Sequence, residues 1–342
     1  MERLNNSLDN PTVGIIVPIY NVEGYVERCL KSILNNTYSN IKVFCIDDGS
    51  KDESPAIVEK IAKNDSRVIL IRQENSGVSA ARNRGLEAAF EENCEVIGFV
   101  DSDDWVHPQY IEILLSGILD GYDISICNYE RTTIFSNEYS TVNNIDMIEY
   151  DLDCIDTNKV ARDFLWGRLY RSAVINKNRF VKGIKIKEDT LFNIMIIAVN
   201  SNLNVCWINK KLYFYFDRDN SAVHNFEGKD LLPYSRECIA LLSSCNDENK
   251  KSFLANIIFT NTLSVRYLYR FDTDFSEAEK ICKDLLSETW KIVKKDNIKL
   301  KRKFIFKLLS AFPSLYRLFR IATDRTLLKW EKQQKNKRRS IN

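Results

Sequence analysis

The sequence predicts an α/β fold, with a mostly parallel sheet, helices on both faces and a helical C-terminal region. Three observations predict it. Short apolar runs alternate strictly with helical periodicity over residues 13–127. The runs are apolar almost throughout, as in strands covered on both faces. The polar residues that interrupt the pattern cluster where strands end, the edge at which parallel sheets bind ligands.

The elements follow in order. Val13–Tyr20 reads as the first buried strand and Glu23–Leu34 as a helix. Ile41–Ile46 is the second strand, closed by Asp47-Asp48-Gly49-Ser50, and Glu53–Lys63 is a helix. Arg67–Ile71 is the third strand and Val78–Glu92 a helix with an Ala-rich face. Glu95–Val100, Pro108–Leu119 and Asp123–Cys127 give a strand, a helix and a fifth strand. Residues 131–160 are polar and irregular, a candidate loop or hairpin. Glu188–Ala198 reads as an amphipathic helix, Val205–Ile208 and Leu212–Phe216 as strands. Further helices are expected at Leu231–Leu242, Phe253–Arg270 and Glu277–Val293. The expected organisation is a nucleotide-type α/β domain over 1–225, a helical region over 226–293 and a basic tail over 294–342.

Composition bounds the class. The chain has 342 residues, 44% hydrophobic and 28% charged, enough for one large domain or two smaller ones. The net charge of +2 conceals an asymmetry. From Lys294 on, 16 Lys/Arg stand against 3 acids, so the tail's +13 leaves −11 for residues 1–293. Between Lys299 and Ile321 bases interleave with Phe304, Ile305, Phe306, Leu308, Leu309, Phe312 and Leu315. That pattern suits an anionic membrane face, with packing on the body or an oligomer contact as alternatives. No nucleic-acid-binding motif accompanies the charge. Nine scattered cysteines without a CxxC pair read as reduced core thiols of a cytoplasmic protein. No secretory leader and no spanning apolar run are expected.

The chemistry centres on Val96–Trp105, an apolar strand that ends in Asp101, Asp103 and Asp104. Carboxylates so placed repel one another and are costly to desolvate unless a cation lies among them. Asp-Ser-Asp puts Asp101 and Asp103 on one side of an extended backbone, a pair of hard ligands suited to Mg²⁺ or Mn²⁺. An acidic turn before the next helix is the alternative. Pro18-Ile-Tyr-Asn21 follows the first strand, where Tyr20 can stack on a base. At Asp47-Asp48-Gly49-Ser50 a carboxylate can accept a uracil imide N–H, or simply bond its own turn. At Gly77-Val-Ser-Ala-Ala-Arg-Asn-Arg-Gly85 a helix start and Arg82 can face an anion, or form an ordinary capped helix. There is no GxGxxG after the first strand and no GxxxxGK[ST], against the dinucleotide and P-loop readings. Nor does the first strand lead into the Gly-rich phosphate loop of a nucleotidyltransferase.

These four blocks, in this order and spacing, resemble the family 2 glycosyltransferases of the GT-A fold, a Rossmann-like sheet. Trp166-Gly-Arg-Leu-Tyr-Arg171, Lys187-Glu-Asp-Thr-Leu-Phe192 and Tyr213–Arg218 with Ser221 extend the resemblance over residues 10–225. The resemblance implies an inverting, metal-dependent hexosyl- or N-acetylhexosaminyl-transferase of bacterial surface-polysaccharide type. Its donor is a nucleotide sugar, with UDP first in line, and its acceptor a glycan or lipid-linked glycan. Tyr20 and Asp48 match uracil-contacting positions, with Asp47 beside them. Arg82 and Asn83 match a nucleotide-facing helix start, and Asp101 and Asp103 the metal and ribose motif. Pro18, Asn21 and Ser102 fall in the same blocks and are grouped with the nucleotide site. Asp189 matches the catalytic base, at a helix N-terminus that favours an ionised carboxylate. His224 lies where some relatives supply a further metal ligand. A non-catalytic nucleotide-binding scaffold is the competing reading; retained Asp101, Asp103 and Asp189 argue against it.

Overall fold

The computed structural model describes residues 10–217, save 136–138, 140–141, 143–146, 151–163, 176 and 201–202. Beyond them it describes residues 232–245 and isolated positions between 254 and 291. The chain divides into two compact units, 1–226 and 227–342. His224 and the basic tail lie outside the described residues, as do most positions of the helices expected at Phe253–Arg270 and Glu277–Val293.

The first unit opens with β1 (Val13–Ile19), α1 (Val26–Leu34), β2 (Ile41–Asp47), α2 (Ser54–Ala62), β3 (Val68–Arg72) and α3 (Val78–Glu91). It continues through β4 (Val96–Phe99), β5 (Trp105–Val106), α4 (Tyr110–Leu119), β6 (Ile124–Thr132) and β7 (Met147–Tyr150). It ends with β8 (Arg168–Arg171), α5 (Ser172–Ile175), α6 (Glu188–Val199) and β9 (Val205–Phe216). In the second unit, α7 (Leu232–Ser244) buries Tyr234, Cys238 and Leu242 at helical spacing. The described strands form one sheet in the order β3-β2-β1-β4-β8-β6-β9-β5, with β7 paired to β9.

The strands β3, β2, β1 and β4 are parallel, with Val13 opposite both Ile41 and Val96. Their carboxyl ends therefore share one edge, and the loops after β1, β2 and β4 meet there. β1 is buried along almost its whole length, which explains its unbroken apolar run. α3 packs closely on β1 because Gly85 has no side chain: a Cβ there would lie 2.4 Å from Ile16 Cγ2. Of the described cysteines, Cys29, Cys45, Cys94, Cys127, Cys206 and Cys238 are buried core thiols and Cys245 is partly exposed.

Parts of the sheet depart from the sequence reading. β8 enters antiparallel between β4 and β6, where no strand was expected. Its four residues are too short to show a period, and Arg168 and Arg171 disguise a buried strand. The strands expected at Val205–Ile208 and Leu212–Phe216 are one strand, β9. The polar Asn209-Lys-Lys interruption is absorbed by register shifts opposite Cys127–Tyr129. The candidate hairpin region is likewise partly strand: β6 runs on to Thr132, and β7 pairs antiparallel with β9.

Gly85→Ala tests the α3–β1 contact. Overpacking costs about 1–3 kcal/mol, and the propensity gain of alanine in a helix returns about 1 kcal/mol. With the new atom so deep inside contact distance, a net loss of about 2 kcal/mol is expected in urea unfolding. An unchanged midpoint would contradict this packing.

Candidate active site

The loops after β1 and β2 are stitched together. Asn21, in the left-handed region at φ 51°, donates its N–H to Ser50 Oγ at 3.1 Å. Its side-chain oxygen accepts the N–H of Lys51 at 2.8 Å. Pro18 is half-buried at the end of β1, and Tyr20 stands 49% exposed beside this seam.

Both acids at the end of β2, Asp47 and Asp48, are buried. Asp47 Oδ1 accepts the Ser50 N–H at 3.1 Å, so Asp47 serves its own turn. Asp48 fastens the loop that enters α3. Its oxygens accept Gln73 Nε2 at 2.7 Å, the Ser76 N–H at 2.8 Å and the Gly77 N–H at 2.8 Å. Gly77 begins α3 at φ 87°, a conformation glycine adopts without strain.

α3 then presents two residues the sequence grouped as nucleotide-facing. Asn83 is used otherwise: its amide donates to the Phe180 carbonyl at 2.9 Å and accepts the Phe180 N–H at 2.7 Å. Arg82 is the hub. Its side chain is 6% exposed and donates to Glu188 Oε1 at 2.8 Å and Asp101 Oδ1 at 3.1 Å. Burial alone would lower its pKa; Asp101, Glu188 and Asp189 outweigh that and hold it above the usual arginine range. One guanidinium thus links the end of β4 to the start of α6.

The carboxylate loop is held from several sides. The Asp101 N–H donates to Tyr213 Oη at 3.1 Å, and the Asp103 carbonyl accepts Arg28 Nη2 at 2.6 Å. Arg28 itself lies over the Trp105 ring, 4.4 Å from its centroid. Ser102 is buried within the turn. Asp104 is fully buried and binds β9, accepting the Tyr213 hydroxyl at 2.6 Å and the Phe216 N–H at 2.8 Å. Burial, then the charges of Asp103 and Asp101, push the Asp104 carboxyl well above the usual range, against the pull of those two bonds.

The first turn of α6 carries Glu188 and Asp189. Glu188 turns to Arg82, whereas Asp189 Oδ1 accepts the Thr190 N–H at 2.8 Å. The helix is seated by stacked Phe180 and Phe192, 4.0 Å apart, and both pack edge-on against Phe99 at the end of β4. Phe99 therefore positions α6 and the Asp101 loop together. His107 is a buried loop residue whose Nδ1 accepts the Gln109 N–H at 3.1 Å.

Asp101 and Asp103 fit a hard divalent cation by donor type, and the Asp101 side chain keeps 30% of its surface open. Among the described residues no group of three or more His, Cys, Asp or Glu is arranged around an ion. Two carboxylates suit an ion whose other ligands are phosphate and water. Tyr213, Arg28 and the pairing of Arg82 with Glu188 were not singled out as parts of the site from sequence, and Asp104 was read there only as one of three strand-end acids. Their pairings span up to 112 residues, so no local pattern marks them.

Residues 14–179 match the model of Glycosyl transferase family 2. YibD of Escherichia coli is 37% identical over 246 residues, covering 67% of this chain and 68% of YibD. This chain belongs to the family 2 glycosyltransferases. EpsH of Bacillus subtilis is 34% identical over 231 residues, 65% of each chain, so the match leaves about a third of EpsH unspanned. Among solved structures, TarS of S. aureus in complex with UDP-GlcNAc superposes with a TM-score of 0.65 at 20% identity. That likeness covers 82% of this chain and 81% of the TarS 1–349 chain, and it shows the GT-A fold. The α/β sheet with helices on both faces is thus the glycosyltransferase scaffold expected from the four blocks.

Arg82→Met would leave two partly buried carboxylates, Asp101 and Glu188, without their cation. Breaking a buried pair of this kind costs about 3–5 kcal/mol. Glu188→Gln, added to it, should recover part of that loss in denaturant unfolding. Additive losses in the double variant would show that Arg82 and Glu188 are not coupled.

Proposed function

We propose that this family 2 glycosyltransferase transfers a hexose or N-acetylhexosamine from a UDP-sugar to a hydroxyl of a glycan or lipid-linked acceptor, in surface-polysaccharide synthesis. The observation that carries the reading is the Arg82 bridge. It ties Asp101, in the block read as donor-binding, to the helix start that bears Asp189, 88 residues further along the chain. A uridine donor is supported by the complex of TarS with UDP-GlcNAc. The exposed ring of Tyr20 is the surface for the base. The loop fixed by Asp48 and the seam at Asn21 hold the floor of that nucleotide site, with Pro18 and Ser102 bounding it.

In this reading Asp189 accepts the proton of the acceptor hydroxyl as its oxygen attacks the anomeric carbon. The bond to the diphosphate breaks on the opposite face, so the configuration inverts. Asp101 and Asp103 would hold Mg²⁺ or Mn²⁺, and such an ion would supply positive charge against the leaving diphosphate. Arg82 keeps Asp101 and Glu188 fixed while this happens, so neither carboxylate must reorganise.

Calorimetric titration with UDP tests the donor. Binding is expected with Mn²⁺ and is expected to be lost in Asp103→Ala; no UDP binding in either metal condition would sink the uridine assignment. Asp189→Asn should keep UDP binding yet lose transfer by about 10²–10⁴-fold, the usual range for a general base.

The basic segment 299–321 is proposed to hold the enzyme peripherally at the inner face of the cell membrane, where lipid-linked acceptors lie. Among the described residues no helix is long and apolar enough to cross a membrane. The full chain should co-sediment with vesicles containing phosphatidylglycerol and not with pure phosphatidylcholine. Equal sedimentation after truncation at residue 293 would remove the tail from the account.

A further inference from the structure

We propose that Tyr213 is the positioning residue of the carboxylate loop, through a single hydroxyl that spans it from Asp101 to Asp104. The inference rests on Asp101 and Asp103 holding the divalent cation.

The loop leaves β4 after Phe99, beyond the last ladder pair. The Asp101 N–H therefore needs another acceptor, and Tyr213 Oη provides it at 3.1 Å. The same hydroxyl has one proton to give, and it gives it to Asp104 Oδ2 at 2.6 Å. Both ends of Asp-Ser-Asp-Asp are thus referred to one atom, with Asp103 held between them. The other oxygen of Asp104 takes the Phe216 N–H at 2.8 Å, so the loop is bound to β9 at two points three residues apart.

That atom is itself fixed. The Tyr213 ring is fully buried and stacks on Trp166 at 4.5 Å and 9°. Its backbone pairs with Val106 of β5, directly after the loop. Trp166 is held in turn by Phe164, stacked at 4.1 Å, and by Tyr129, edge-on at 4.9 Å. A rigid aromatic row therefore backs the loop and leaves the hydroxyl no freedom to follow a displaced carboxylate. Groups that orient metal-binding carboxylates in this way govern metal affinity without touching the ion.

Tyr213→Phe keeps the ring, the Trp166 stack and the strand pairing, and removes only the oxygen. Mn²⁺ binding in the presence of UDP is read from the free Mn²⁺ EPR signal. The variant is expected to melt cooperatively and to bind Mn²⁺ about 10- to 100-fold more weakly than the wild type. Tyr110→Phe, which removes another buried tyrosine hydroxyl from α4, should bind Mn²⁺ like the wild type. Equal affinity in Tyr213→Phe and wild type overturns the inference alone, and an equal loss in Tyr110→Phe overturns it as a general core effect. No Mn²⁺ binding by the wild type removes the metal reading itself. A second measurement does not depend on the variant folding: 3-fluorotyrosine placed at 213 should shift its ¹⁹F resonance when Mg²⁺ and UDP bind together. An unmoved resonance, with binding confirmed by calorimetry, overturns the inference.

Discussion

A buried guanidinium between two carboxylates is the constraint on which the site depends. Arg82 cannot shed its charge, and its burial would be untenable without Asp101 and Glu188 beside it. The requirement is mutual. Once α3 carries an arginine into the interior, the end of β4 and the start of α6 must each bring an acid to it. Chain segments separated by 19 and 106 residues from Arg82 are thereby brought to one point. The geometry of this candidate site is thus partly a solution to an electrostatic problem inside the core.

The apolar packing agrees with that solution. Phe99 ends β4 immediately before the carboxylate loop and carries Phe180 and Phe192 on its edge. Asn83 fixes the Phe180 backbone from α3, one residue along from Arg82. Hydrophobic and polar contacts therefore hold α6 in one position, from the same two elements. The carboxylate loop is held separately, by Arg28 from α1 and by Tyr213 from β9. Preorganised polar groups of this kind need no rearrangement when charge develops nearby.

Much of the fold was legible because its signals are local. β1, β2 and β4 are buried on both faces and read as apolar runs, and their helices keep a clear period with ends close to those expected. The strand-end acids were legible because carboxylates after a buried strand need a reason. What stayed hidden is non-local. β8 is short and carries arginines at both ends, so nothing in its own residues marks it as a central strand. Asn83 sits in a block whose resemblance implies a nucleotide contact, yet its amide is taken by the Phe180 backbone, 97 residues away. Asp104 looks like a third member of an acidic cluster, and only the approach of Tyr213 and Phe216 separates it from Asp101 and Asp103. Of Glu188 and Asp189, the sequence alone could not say which turns toward Arg82.

The seam at Asn21 has a consequence for remodelling this scaffold. The loops after β1 and β2 exchange hydrogen bonds through Asn21, Ser50 and Lys51, and again where the Glu23 N–H meets Asp52. They are two stretches of sequence but one mechanical part. A loop transplanted alone from a relative, in pursuit of a different nucleotide preference, would arrive without its counterpart. The workable unit of exchange is the pair, residues 18–23 together with 47–54, moved as a cassette.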